Sequence, residues 1–192
     1  MNDPYAAPAA RDLAHAVVEE IRGVLSAIEV DQIERLADTL HTASRVMVSG
    51  EGRSGLMARA FAMRLMHLGL AVHVVGETTT PAVTADDTLI AVSGSGSTAA
   101  TVRTAEQARH VGAYVHAVTT DPGSAMAAAA AAVLVVPAAT KHRRSHEAAT
   151  IQPLSSLFDQ ATHLVFDVVC LRLAHLRGID NTAARSAHAN TE

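Results

Sequence analysis

Five short apolar runs, most of them separated by helix-like segments, constrain this chain more than any other feature of its sequence. They cover residues 46–48, 71–75, 88–92, 114–118 and 133–136, and none alternates cleanly between polar and apolar side chains. A strand without alternation is covered on both faces, the condition of a parallel sheet held between helices. Helices are predicted over 54–68, 97–111 and 123–131, with a long last one over 155–176. Two more precede the first run, because Leu13, Val17, Ile21, Val24, Leu25 and Ile28, then Ile33, Leu36 and Leu40, recur at helical spacing. The pattern predicts an α/β protein: a three-layer αβα sandwich around a five-stranded parallel sheet. One domain spans 1–192, with N-terminal helices in 1–44, the α/β core in 45–177 and a tail in 178–192 that composition alone reads as floppy.

Composition narrows the function. The chain has 192 residues and a net charge of −4, with pI near 6.2, so it offers no basic footprint for a nucleic-acid backbone. Lys141, His142, Arg143 and Arg144 form too short a basic cluster to reverse that. Aromatic residues make up 3% of the chain, so the core falls to Ala, Val, Leu, Ile and Met, small side chains that let helices pack closely on a sheet. The lone Cys170 cannot form an intrachain disulfide; set in an apolar run, it reads as a buried small hydrophobe and fits a reducing cytosol. The N-terminus lacks a signal-peptide pattern, and the uncharged stretch 122–140 is broken by Pro122, Gly123, Ser124 and Pro137 and dominated by Ala, so no membrane span is expected. These features predict a soluble cytoplasmic protein.

Two loops carry the chemistry. Ser49-Gly50-Glu51-Gly52-Arg53-Ser54-Gly55 follows the first strand and opens a helix, where glycines let the backbone approach an anion and free N–H groups point at it. Gly50, Gly52 and Gly55 also fit G-x-G-x-x-G, and Glu77 follows the second strand, so a dinucleotide site is an alternative. The second loop, Ser93-Gly94-Ser95-Gly96-Ser97-Thr98, adds hydroxyl donors at the end of another strand. A phosphosugar site needs such a nest, whereas a dinucleotide site does not. Either loop alone could be a tight turn with a helix cap. Both at strand ends should open into one crevice.

Gly52-Arg53-Ser54-Gly55, the runs 61–69 and 74–81, and Ser93-Gly94-Ser95-Gly96 resemble the SIS (sugar isomerase) domain family. With the segment 151–160 and the tail 183–192, the chain is most similar to its 6-phospho-3-hexuloisomerase branch, over nearly its whole length. The resemblance implies flavodoxin-like strand order and interconversion of D-arabino-hex-3-ulose 6-phosphate and D-fructose 6-phosphate through an enediolate. No cofactor and no metal are implied. It assigns the phosphate anchor and sugar contacts to Ser49, Gly50, Gly52, Arg53 and Ser54 with Ser93, Gly94, Ser95 and Thr98, the base to Asp159 and a proton relay to His67. It further implies a homotetramer with sites near subunit interfaces, where His188 of the tail could complete a neighbour's site.

The chain departs from that pattern at three places: Asp159 stands where the branch has Glu, Ser155 where it has Gly, and Ser97 where Glu is common. Bland readings compete for the same residues. Asp159 could be a first-turn acid on a helix dipole, His67 a helix-end histidine, and His188 part of an unbound terminus. His142, His146 and Glu147 invite a metal, but without a third ligand at familiar spacing they read as a solvated loop. A non-catalytic phosphosugar-binding module and an isomerase of another ketose or aldose phosphate are the alternative functions.

Overall fold

The computed structural model describes residues 8–144 and 147–190. The five apolar runs become strands β1 (Arg45–Gly50), β2 (Val72–Val74), β3 (Asp87–Val92), β4 (Tyr114–Thr119) and β5 (Ala132–Val135) of one parallel sheet, in the order β2-β1-β3-β4-β5. Beyond β1, the chain first builds one way to β2, then returns across β1 to build β3, β4 and β5. The ends of β1 and β3, aligned with Gly50 opposite Val92, therefore bound the crevice where the winding reverses.

The helices are α1 (Ala10–Ser26), α2 (Val30–Thr42), α3 (Gly52–His67), α4 (Ala99–His110), α5 (Ala125–Ala128), α6 (Ser156–Arg177) and α7 (Asn181–Ser186). Successive strand residues face opposite sides, and two cores result. Val46, Val48, Ile90, Val92, Val118 and Leu134 pack with α1, α2, α3 and α6, where the near-parallel rings of Phe61 and Phe166 stack at 4.0 Å. Met47, Leu89, Ala91, Val115 and Ala117 pack with α4 and α5, largely against alanines. The three-layer sandwich predicted from the unalternated strands is the observed one. Cys170 lies buried in the first core, where loss of solvation pushes its thiol up to about 12 and leaves it unreactive. His116 of β4 is also fully buried, with neither ring nitrogen hydrogen-bonded; burial, aided by the charge of Arg35, lowers it to about 4 and keeps it neutral.

Two details differ from the sequence reading. The helix expected over 123–131 is a single turn, Ala125–Ala128, because Ser124 caps it at one end and β5 begins at Ala132. The tail is not floppy throughout. Gly178, in the left-handed conformation, ends α6, and the Asp180 side chain accepts from Ala183 N at 2.8 Å to start α7. Two capping residues outweigh the composition of the segment. Among the described residues, no helix is long and apolar enough to cross a membrane.

Candidate active site

Three helices begin at the crevice. α3 starts after β1 at Glu51, α4 after β3 at Thr98, and α6 at Ser155, and none of these three N-cap side chains makes a capping hydrogen bond. The N-termini of three helices, without side-chain caps and with their positive dipole ends, therefore converge on one cavity of about 380 Å³, a setting suited to a multiply charged anion. Close backbone approaches shape it. A Cβ on Gly55 would sit 2.5 Å from the Gly50 carbonyl oxygen, so glycine there lets α3 lie against the end of β1. Gly96, at φ +62°, turns the second loop against Ser124, where a Cβ would fall 2.0 Å from the hydroxyl.

The second loop is held rigidly. Ser93 Oγ and Thr98 Oγ1 lie 2.9 Å apart across it, Ser95 Oγ accepts from Ser97 Oγ at 3.0 Å, and the Gly94 carbonyl accepts from Thr120 Oγ1 at 2.8 Å. These bonds tie the nest to the end of β4 and present its hydroxyls to the cavity.

Asp159, on the first turn of α6, closes the opposite side with only 7% of its surface exposed. Its Oδ1 accepts from Ser54 Oγ at 3.4 Å. Its Oδ2 lies 2.9 Å from Arg53 Nε, an ion-pair distance, but the N–H direction misses the oxygen, which is left without a directed hydrogen bond. Burial raises the Asp159 carboxyl above its ordinary value, while Arg53 and Ser54 pull the other way. A carboxylate that is ion-paired, partly desolvated and without a directed hydrogen bond at one oxygen has the character of a general base. Arg53 also donates from Nη1 to Ser156 Oγ at 3.2 Å, so its guanidinium bridges the start of α6 and the mouth of the cavity.

Of the residues assigned from the sequence, Arg53, Ser54, Ser93, Gly94, Ser95, Thr98 and Asp159 line this one cavity. Ser49, Gly50 and Gly52 stand behind it: Ser49 is buried in β1, and the glycines shape the turn into α3. His67 is elsewhere. It ends α3, roughly 20 Å along the helix axis from Ser54, where its ring stacks on His188 of the tail at 5.2 Å. Within one chain, neither histidine lines the cavity of Asp159.

Other lining residues escaped sequence reasoning. Glu51 lay unremarked inside the first loop, and Ser155 was marked only as a departure from a pattern. Thr140 and Leu154 carry no local signal, and His142, which reads from the sequence as part of a solvated loop, lines the cavity with them; they enter because the chain passes over the cavity between β5 and α6. Lys141 of the short basic cluster lines it as well. Glu77, the acidic partner of the dinucleotide reading, pairs with Arg59 at 2.8 Å on the surface and does not line the cavity. Among the described residues, no three His, Cys, Asp or Glu side chains group to hold a metal; His146 of the histidine pair lies outside those residues, as do Thr191 and Glu192 of the tail.

Strand order and cavity together define an α/β protein with a polar cavity, of a kind suited to an anion, at the point where the sheet's winding reverses. The chain belongs to the SIS domain family, whose model matches residues 39–164. It is 40% identical to a 3-hexulose-6-phosphate isomerase of Mycobacterium gastri, over 92% of this chain and 88% of that protein. A 3-hexulose-6-phosphate isomerase of Bacillus subtilis (strain 168) is 36% identical, over 92% and 95%. A crystal structure from Methanococcus jannaschii, presented as inferring a molecular function of 3-hexulose-6-phosphate isomerase, superposes with a TM-score of 0.82 at 26% identity, covering 94% of this chain and 99% of that one.

Proposed function

We propose that this protein is a 6-phospho-3-hexuloisomerase, interconverting D-arabino-hex-3-ulose 6-phosphate and D-fructose 6-phosphate. The observation that carries the reading is Asp159: a buried carboxylate with one undirected oxygen, facing a nest of hydroxyls and helix ends. The relatives that share the fold and most of the chain's length support the substrate assignment.

The phosphate dianion sits against Ser93, Ser95 and Thr98 and the N-termini of α3 and α4, with Arg53 and Lys141 adding positive charge. Asp159 takes the proton from C2 of the 3-ulose, the electrons form the enediolate C2–C3 double bond, and the proton returns to C3. The hydrogen on O2 moves to O3, which leaves the carbonyl at C2. Partial desolvation suits Asp159 to both halves of this transfer, because it raises proton affinity at an otherwise weak base. The shorter Asp in place of Glu is accommodated by Arg53 and Ser54, which draw the carboxylate toward α3.

The proton relay between the oxygens is assigned to His67 of a second copy, with His188 stacked on it. Exposed Met63 and Met66 on α3, beside Leu164, Val168 and Leu171 on α6, supply an apolar surface for the homotetramer this requires. The setting proposed is the cytoplasm and the ribulose monophosphate route of formaldehyde assimilation.

Hexulose 6-phosphate generated in situ and offered to the purified protein should yield fructose 6-phosphate; no product, beside turnover by a Glu-bearing relative, refutes the reading. Asp159→Glu separates it from a non-catalytic binding module. An enzyme adapted to Asp loses activity or changes little, whereas a module repaired this way gains activity.

A further inference from the structure

The segment leading into α6 is fastened by a residue that is far away in sequence and outside the cavity. Glu20 stands on α1, and its Oε2 accepts from Thr150 Oγ1 at 2.6 Å and from Gln152 Nε2 at 3.1 Å, while Oε1 accepts from Ile151 N at 2.8 Å. Thr150 Oγ1 itself accepts from Gln152 N at 3.0 Å, which closes residues 150–152 into a turn around the carboxylate. The buried Gln152 passes the constraint on, because its carbonyl accepts from the Arg143 guanidinium. Two residues later, Leu154 adopts a left-handed conformation at φ +56°, rare for a branched aliphatic residue and maintained only where the surroundings dictate it. Ser155 Oγ then accepts from Lys141 N at 3.0 Å. Lys141, Leu154 and Ser155 are cavity wall, and Asp159 follows within the first turn of α6.

We propose that Glu20 is a positioning residue, whose carboxylate sets the turn 150–152 and, through it, the cavity wall and the first turn of α6 in the register that aims Asp159 at the substrate. The inference rests on the isomerase reading of the site. Three donors converge on two carboxylate oxygens, an arrangement that an amide, with one acceptor oxygen, cannot reproduce. Burial alone would raise the Glu20 carboxyl, but the bonds from Thr150, Ile151 and Gln152 outweigh it and hold the group below its ordinary value. α1 is docked independently of this contact by Ile21, Val24 and Leu25, so breaking the clamp leaves the helix in place. The phosphate nest at Ser93–Thr98 is bonded to β4 and shares no bond with the clamp.

The test uses the full chain carrying Glu20→Gln, Thr150→Val or both. Each single variant should lower kcat on hexulose 6-phosphate about ten-fold with KM within about two-fold, since a displaced base affects the chemical step more than the anchor. Affinity for inorganic phosphate should stay within about two-fold of the wild-type value, since of the groups that hold the anion only Lys141 lies on the displaced wall, and trypsin should cut faster after Lys141, Arg143 or Arg144. The double variant should be no worse than either single, because both break one clamp. A Glu20→Gln enzyme with kcat within about two-fold of wild type, kcat losses that add in the double variant, or a loss of phosphate affinity matching the loss of kcat would each overturn the proposal. If the wild-type chain does not isomerise the sugar at all, the isomerase reading falls instead, and the trypsin rates still decide whether Glu20 fastens the turn.

Discussion

The two ends of α3 carry the two kinds of group that a carbonyl shift requires, but not together. At its start, Arg53 and Ser54 contact a buried Asp159, and three helix N-termini create a positive cavity. At its end, His67 and the exposed His188 stack as a pair of imidazoles. The first end is assembled from segments more than a hundred residues apart and is held by the sheet; the second is a contact between a helix terminus and a tail. The contrast teaches that within one copy His67 and His188 lie out of reach of the proposed anchor and base, whose cavity is lined by a different histidine, His142. A reaction that uses both ends has to be assembled from two copies.

That comparison can be broken experimentally. The largest effect is expected at the first end: Asp159→Asn should lower kcat about 10³-fold without lowering the melting temperature at neutral pH, because burial penalises the charged form. Next is His67→Ala, expected to lower kcat about 10²-fold. Subunits carrying His67→Ala co-assembled with subunits carrying Asp159→Asn should regain activity above either parent, since each mixed contact can join an intact Asp159 to an intact His67. If the mixture stays at the parental level, the two ends do not meet across copies.

A smaller change is expected from Arg53→Gln, which should raise KM for the sugar phosphate about ten-fold through loss of one charged contact. The same variant should move the acidic limb of the kcat/KM profile to higher pH, because Arg53 pulls the Asp159 carboxyl down. The smallest effect is the position of that limb in the wild type. Activity should fall as pH drops through an Asp159 value above the ordinary 3.8. Stability runs the opposite way. A carboxyl with a raised folded-state pKa contributes fully below its unfolded value, and the contribution is lost as pH rises through the folded one. Asp159→Asn should remove that slope, as thermal melts across the acidic range would show.

Much of the fold was legible because it is written locally. Unalternated apolar runs such as 88–92 can only be strands covered on both faces, and the helical spacing of Leu36 and Leu40 marks a buried stripe whatever lies opposite. Both loops were legible too, since glycine at positions such as 55 and 96 answers to backbone geometry within a few residues. The short turn of α5 and the capped α7 were misjudged because one capping side chain decides where such a helix begins, and composition does not register it.

The sequence by itself determined the layers, the two glycine and serine loops and, through its resemblance, the carboxylate that shares their cavity. It could not say that His67 lies at the opposite end of α3 from Asp159, or that Glu20 of the first helix fastens the segment ahead of the last long one. Those relations join residues far apart in the chain, His67 with Asp159 and Glu20 with Ile151, and no local pattern encodes a distance across a sheet. Only the packed chain sets them, because strand order and helix length fix which ends meet and which stay apart.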